Sequence, residues 1–279
     1  MNQIKAYLKK LMSLIRKEEM CVLPGNLAFF LLLSIVPILT LVGIICSLFS
    51  ISFENIISSV GEMIPKEADT FLISFLSGIK NPGNLVFYFT VGFLVASNGA
   101  DSIIVASNTL YQIESESYLK RRIKALFLTI VLILLFLFVL VFLAFGNGIL
   151  KFILGLRIFM NIANRIYSIF ILLKWPVAFF IIFWFIKLLY AMAPDRRIAS
   201  KYVNQGALFT TIGWILTTAI YSYYANNIAN YDLFYGGLSG LAVLMIWIYI
   251  ISYIFVIGIA INTSSYQYLE EMKINKMEE

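Results

Sequence analysis

An apolar stretch at residues 24–49 sets the tightest limit on what this chain can fold into. No charged residue interrupts it. As an α-helix rising about 1.5 Å per residue, it is long enough to cross a hydrocarbon core of roughly 30 Å. The stretch therefore predicts a membrane-spanning helix, with a bend at Pro37 because a proline ring removes one backbone hydrogen bond.

The composition extends this prediction to the whole chain. Of its 279 residues, 61% are hydrophobic and only 13% are charged, whereas a typical soluble domain carries about 25% charged residues. The net charge is +6, but the basic residues stand in short runs between apolar segments, as topology signals do. The sequence thus predicts a lipid-embedded chain with no nucleic-acid partner.

The spacing of the apolar segments predicts an all-α, polytopic integral membrane protein. A cytoplasmic amphipathic helix is predicted at residues 1–23, a membrane domain at 24–264 and a cytoplasmic tail at 265–279. Short amphipathic helices are expected in the first outer loop, 50–83, and a cytoplasmic continuation of the second span at 108–124. About six transmembrane helices are predicted, at about 24–49, 84–107, 125–150, 168–191, 203–225 and 236–264.

The distribution of lysine and arginine orients these helices. Most of them fall in the N-terminal segment, the second-to-third loop, the fourth-to-fifth loop and the tail. The positive-inside rule then places both termini in the cytoplasm. Two interpretations of the N-terminal helix stay open: an interfacial helix on anionic lipid at the cytoplasmic face, or a solvated charged helix before the first span.

The residue types argue against catalysis. The chain has no histidine, and its two cysteines, Cys21 and Cys46, lie at opposite ends of one predicted span. Glu114 and Glu116 are two residues apart, so on a helix they do not share a face. Metal-dependent RNA cleavage needs several carboxylates or histidines converging on metal ions. We therefore predict no enzyme, no catalytic residue, no cofactor and no metal site.

Polar side chains at membrane depth are the most informative residues. Asn98, Asp101 and Asn108 follow one another in the second span, and Lys187 lies in the fourth. Ionisable residues within membrane helices are costly and suggest a function. One hypothesis is a polar pocket formed by these four residues, with Asp101 and Lys187 as partners. The alternatives are a structural hydrogen bond or ion pair for Asp101 and snorkelling of Lys187 to the nearer interface.

Prolines and glycines within the spans allow two interpretations. Pro37 and Pro176 lie in the first and fourth spans, and Gly236 lies near the start of the sixth. They indicate either simple bending and close helix packing, or kinked helices that line a cavity.

A set of positions, taken in order along the chain, carries a family resemblance. The set includes Gly25, Asn26, Ser34, Pro37, Pro194, Arg197, Tyr221, Tyr231, Tyr235, Gly236, Trp247, Ile248, Tyr249 and Gly258. These positions resemble the YihY/BrkB family of bacterial inner-membrane proteins. The resemblance implies a multi-pass protein of the bacterial cytoplasmic membrane. The family has carried the mistaken label ribonuclease BN, and one branch is linked to virulence and serum resistance, but no agreed biochemical activity comes with it.

The last span departs from the family pattern. The resemblance implies a Gly-Ala-Glu run late in that span, but here Ala260 occupies the position expected for the acid. Asn262 offers a neutral polar group nearby. A role that depends on the family's carboxylate is therefore in doubt for this chain.

Three functions are compatible with these observations. The favoured hypothesis is a non-enzymatic membrane protein that transports or accommodates a lipid-like or amphiphilic molecule. The alternative is a non-catalytic membrane scaffold or envelope-maintenance factor, associated with virulence, and an enzyme ranks below both. Membrane lipids, including anionic lipid at the cytoplasmic face, are the predicted partners, and the sequence leaves open a protein partner or a homo-oligomer.

Overall fold

The computed structural model describes Lys9, Tyr231 and residues 11–48, 85–139, 163–228 and 235–278. Its regular structure consists of helices. The six long ones are α1 (Glu19–Leu48), α2 (Leu85–Tyr111), α3 (Tyr118–Val139), α4 (Ala163–Met192), α5 (Asn204–Asn227) and α6 (Ser239–Glu278), and two short 3₁₀ turns cover Ser200–Tyr202 and Gly236–Leu238.

The predicted all-α, polytopic membrane class is confirmed. Three of the described helices are long and apolar enough to cross a bilayer, at Thr90–Tyr111, Trp175–Met192 and Ser239–Gln267. A shorter apolar segment, Glu19–Ile35, lies in α1. The total of six spans stays a prediction, and the predicted amphipathic helices at 50–83 lie outside the described residues.

The N-terminal boundary of the first long helix differs from the prediction. Within the predicted amphipathic helix, residues 11–15 are helical, turns follow at 16–18, and α1 begins at Glu19 rather than at Pro24. Residues 1–8 of the predicted helix lie outside the description. Gly25 and Asn26 are half-buried in the second turn of α1, so the family positions there belong to a helix rather than to its cap.

The predicted continuous helix over 108–124 is wrong. The chain leaves α2 after Tyr111, because Gln112 takes a left-handed conformation with φ of 57°. The Gln112 amide donates to Thr109 O (3.2 Å) and the Ile113 amide donates to Asn108 O (2.9 Å). This pair of bonds is the Schellman motif, which usually places glycine at the left-handed position. Gln112 is neither glycine nor proline, so the sequence gives no strong signal that the helix ends there.

The pairing of α1 with α2 depends on two glycines of α2. The Ser34 hydroxyl shares its proton between Phe30 O (2.6 Å) in α1 and Ala96 O (3.1 Å) in α2, and it accepts from the Gly99 amide (3.2 Å). A Cβ atom added to Gly99 would lie 2.8 Å from Ser34 Oγ, and Pro37 packs against Gly92. Ser34 and Pro37 are thus contact residues between two helices, and the buried hydroxyl of Ser34 has its hydrogen bonds.

The crossing of α5 and α6 is closer still. A Cβ atom on Gly206 would collide with the backbone carbonyl of Gly258, and one on Gly258 would collide with the hydroxyls of Tyr190 and Thr210. The Tyr190 hydroxyl is bonded to Thr210 Oγ1 (2.6 Å) and donates to Phe255 O (2.8 Å). Only residues without a side chain permit this approach, which brings α4, α5 and α6 together around one buried tyrosine.

The main apolar core joins all six long helices. Its fully buried side chains include Leu27, Ile104, Leu128, Leu189, Val203 and Ile259. By contrast, α4 carries large exposed apolar side chains at Leu172, Trp175, Phe180 and Trp184. Such faces are stable in contact with lipid, which agrees with a membrane protein.

The connection before α6 is shaped by one glycine. Gly236 has φ of +51°, a left-handed conformation that favours glycine because it has no Cβ. Nearby, the Tyr221 hydroxyl donates to Val243 O (3.0 Å) and lies 3.4 Å from the hydroxyl of Tyr231. The Tyr231 and Tyr235 rings pack with centroids 6.4 Å apart. The family positions in this region therefore fix the turn between α5 and α6.

Candidate functional site

Four basic residues stand in the first two turns of α3. Lys120, Arg121, Arg122 and Lys124 follow one another there. Cations at a helix N-terminus are opposed by the positive end of the helix dipole, so they need external partners. Lys120 pairs with Glu116 just before the helix (3.0 Å), and the other partners come from α2 and from the connection between α4 and α5.

Two of the arginines bind α2. Arg121 Nε forms a salt bridge of 2.9 Å with Asp101 Oδ1, and both side chains are about one-quarter exposed. Arg122 donates to Asn98 Oδ1 (2.9 Å) and to the backbone carbonyl of Leu94 (2.9 Å). We call this row of contacts, made by Asn98, Asp101, Arg121 and Arg122, the α2–α3 seam.

Asp195 is the centre of a second network, which we call the Asp195 hub. Its carboxylate accepts from Lys124 Nζ (2.8 Å), Asn108 Nδ2 (2.6 Å) and the Glu116 amide (3.0 Å). Its own amide donates to Asn108 Oδ1 (2.8 Å), and Lys124 also donates to Pro194 O (2.7 Å). The hub joins the C-terminal end of α2, the 112–117 turn, α3 and the connection after α4.

The hub also sets the protonation of Asp195. Burial alone would raise the pKa of this carboxyl, since its side chain is only 3% exposed. Hydrogen bonds from Lys124, the Glu116 amide and Asn108, together with the charge of Lys124, outweigh burial and hold the pKa of Asp195 below its ordinary value of 3.8. The carboxylate is therefore charged at neutral pH and holds its donors firmly.

The predicted pocket residues lie in three different environments. Asn98 and Asp101 belong to the α2–α3 seam, and Asn108 belongs to the Asp195 hub. Lys187 is half-buried on α4. Asp101 forms its salt bridge with Arg121 rather than with the suggested Lys187. This contact matches the alternative in which Asp101 belongs to a structural ion pair. A single pocket that includes all four residues stays a prediction.

The sequence pattern did not identify Arg121, Arg122, Lys124 and Asp195 as partners in a site. In the sequence the basic residues serve as a topology signal, and Asp195 lies in the predicted fourth-to-fifth loop. One signal was available: a basic run at a helix start is unfavourable by itself and predicts acids in contact with it. Of the remaining predicted positions, Pro194 is buried beside the hub, Arg197 is exposed, and Pro176 is an exposed residue inside α4.

The family comparison identifies the chain. The family model described as Virulence factor BrkB matches residues 12–279. The chain belongs to the BrkB family. Both networks, on α2, α3 and the α4–α5 connection, lie within the matched region.

Curated relatives of this BrkB-family chain span most of its length. The putative ribonuclease-like protein YfkH of Bacillus subtilis (strain 168) is 28% identical over 261 residues, which cover 92% of this chain and 94% of that protein. A UPF0761 membrane protein of Vibrio vulnificus (strain YJ016) is 25% identical over 272 residues, covering 93% and 82% of the two chains. No solved structure matches this chain significantly. The name of the Vibrio vulnificus relative describes a membrane protein.

The part of α6 around Ala260 and Asn262 packs against the start of α5. Ala260 is fully buried. Two residues later, Asn262 Oδ1 accepts a hydrogen bond of 2.8 Å from the Gly206 amide in the first turn of α5. The first amides of a helix have no partner within it, so α6 supplies the cap of α5. A neutral amide can do this without placing a charge in the buried crossing.

Proposed function

We propose that this BrkB-family protein is a non-enzymatic membrane protein that accommodates an anionic amphiphile, such as a lipid, at the α2–α3 seam. The observation that carries this proposal is the set of partners of Arg122. Its guanidinium binds the neutral oxygens of Asn98 and Leu94, and no described acid forms a salt bridge with it. A cation held among neutral groups attracts an anionic headgroup.

The surroundings of Arg122 suit the apolar part of such a molecule. On α2, the side chains of Val91, Leu94 and Val95 are exposed close to the Arg122 contact. On α3, large apolar side chains also face outward, at Ile123, Phe127, Ile130 and Leu134. A polar group flanked by exposed apolar helix faces is the combination that an amphiphile recognises.

The predicted orientation places the seam where a headgroup lies. The basic run of α3 marks the cytoplasmic boundary of the third span under the positive-inside rule. Asn98 and Asp101 contact this run, so the seam lies toward the cytoplasmic end of the predicted second span, 84–107.

Arg122→Gln tests this proposal. A hydrogen bond to a charged group contributes about 1.5–3 kcal/mol, so the variant is expected to retain about one-tenth or less of the bound anionic lipid. The measurement is native mass spectrometry of the purified protein titrated with phosphatidylglycerol, with phosphatidylcholine as the neutral comparison. Arg122→Lys keeps the charge but loses the planar pair of donors, and is expected to fall between wild type and Arg122→Gln.

Arg197→Gln is the matched control, because Arg197 is an exposed arginine on the α4–α5 connection, outside the seam. It removes the same charge and should leave phosphatidylglycerol retention unchanged. Equal losses of bound phosphatidylglycerol in both variants would show that the change in net charge alone explains the effect. Retention by Arg122→Gln at the wild-type level would contradict the seam as a headgroup site and favour the scaffold function.

The non-enzymatic part of the proposal has two supports. The names of the family and of its UPF0761 relatives specify virulence and the membrane rather than a reaction. The ribonuclease-like name belongs to the Bacillus subtilis relative. The histidine-free sequence of this chain lacks the commonest general base.

We infer that the protein lies in the bacterial cytoplasmic membrane with both termini in the cytoplasm, and Cys21 provides a test. Cys21 is exposed near the start of α1. In a Cys46→Ser background, a membrane-impermeant maleimide is expected to label Cys21 in inverted vesicles and not in right-side-out vesicles. Labelling confined to right-side-out vesicles would reverse the orientation. A variant lacking both cysteines sets the background.

A further inference from the structure

The basic run of α3 contains one cation that has no acidic partner among the described residues. The other three basic residues are paired with acids: Lys120 with Glu116 (3.0 Å), Arg121 with Asp101 (2.9 Å) and Lys124 with Asp195 (2.8 Å). Arg122 instead binds two neutral oxygens, Asn98 Oδ1 and Leu94 O, each at 2.9 Å. Within the described part of the chain, the run therefore keeps one positive charge that no protein contact neutralises.

Asn98 and Asp101 occupy equivalent places on α2. They are three residues apart, so they lie on one face of the helix, and they contact consecutive residues of α3, Arg122 and Arg121. Each offers one side-chain oxygen to an arginine at 2.9 Å. The two side chains have nearly the same shape and differ in charge. Asp101 thus neutralises Arg121, whereas Asn98 holds Arg122 in place without neutralising it.

The guanidinium of Arg122 keeps donors for a ligand. A guanidinium has five N–H groups. Nη1 donates to Asn98 and Nη2 donates to Leu94 O, so two of the five are used by described residues and three are left. The side chain is partly exposed, and a guanidinium can bind phosphate oxygens through two parallel hydrogen bonds. A phosphate group therefore fits both the charge and the donors that remain.

We propose that Asn98 is the specificity-determining residue of the α2–α3 seam, because its uncharged oxygen leaves the charge of Arg122 available to the phosphate of a singly charged lipid headgroup. This inference rests on the proposed function and adds to it the residue that sets the charge of the site. An acid at position 98 would neutralise Arg122, as Asp101 neutralises Arg121. Loss of the acid at position 101 would instead expose a second cation, which suits a headgroup with two phosphates.

Asn98→Asp tests the inference, because it adds a charge and changes the shape very little. In native mass spectrometry of the full-length protein, phosphatidylglycerol retention is expected to fall to about one-tenth of the wild-type level, close to that of Arg122→Gln. The thermal midpoint without added lipid is expected to be at or above that of wild type, since the variant gains an ion pair. Asn227→Asp is the matched control, because it makes the same substitution at the exposed end of α5 and should leave retention unchanged.

Asp101→Asn tests the same rule in the opposite direction. Retention of cardiolipin, which carries two phosphates, is expected to rise several-fold relative to that of phosphatidylglycerol. An unchanged ratio of the two lipids would overturn the inference, and so would equal losses of phosphatidylglycerol in Asn98→Asp and Asn227→Asp.

The two proposals about the seam fail in different ways. If Arg122→Gln loses phosphatidylglycerol while Asn98→Asp retains it at the wild-type level, the role of Asn98 is overturned and the headgroup site stands. If Arg122→Gln itself retains phosphatidylglycerol at the wild-type level, the headgroup site is overturned, and the role of Asn98 with it.

Discussion

Gly206→Ala is expected to lower the stability of the membrane domain by about 3 kcal/mol, at the upper end of the usual range for overpacking. The added Cβ would collide with the carbonyl of Gly258, which is backbone and cannot rotate away. Relief requires α5 and α6 to separate, which would also break the bond between the Gly206 amide and Asn262. The measurement is the thermal midpoint of the helical circular dichroism signal in detergent.

Gly25→Ala is the matched control for this substitution. It makes the same change within a helix, but apart from the adjacent backbone of α1 no atom of the described residues lies within 4 Å of the added Cβ. Alanine is more favourable than glycine inside a helix by roughly 0.5–1 kcal/mol, so this variant is expected to melt at or slightly above the wild-type temperature. If Gly206→Ala melts at the wild-type temperature, the close crossing of α5 and α6 is incorrect.

Asp195→Ala is expected to cost about 2–3 kcal/mol, because it leaves Lys124, Asn108 and the Glu116 amide without their common acceptor. The cost is below that of a fully buried pair because the Lys124 side chain is about one-quarter exposed and keeps its bond to Pro194 O. Unfolding in a denaturing detergent titration measures the loss, read again from the helical signal.

Glu116→Ala serves as its control. The Lys120–Glu116 pair is exposed, with side-chain exposures of 72% and 46%, and exposed pairs contribute only about 0–1 kcal/mol. The substitution also leaves the Glu116 backbone amide available to Asp195. Equal costs for the two variants would show that the hub stabilises the fold no more than a surface ion pair.

The hub also predicts a pH dependence. Because the folded pKa of Asp195 lies below its ordinary value of 3.8, its contribution to stability is fully present above that value. The contribution is lost as the pH falls through the lower folded pKa. Acid unfolding of wild type and Asp195→Asn should therefore differ most at neutral pH and converge in strong acid. A constant difference at all pH values would contradict this linkage.

Local patterns in the sequence anticipated much of the fold. Apolar runs and charge placement identified a helical membrane protein. The break after Tyr111 was missed because Gln112 takes a conformation that glycine usually signals. The partner of Asp101 was missed because Arg121 belongs to the basic run at the start of α3, and that run was interpreted only as a topology signal.

The sequence by itself determined that this chain is a helical membrane protein of the BrkB family, because hydropathy and family motifs are written in neighbouring residues. Only the tertiary structure decided which polar groups meet. Asn108 and Asp195 are 87 positions apart, and Gly206 and Asn262 are 56 apart. Their contacts depend on how the helices cross. Those crossings require small residues, and the sequence does not show which neighbouring backbone lies beside each of them.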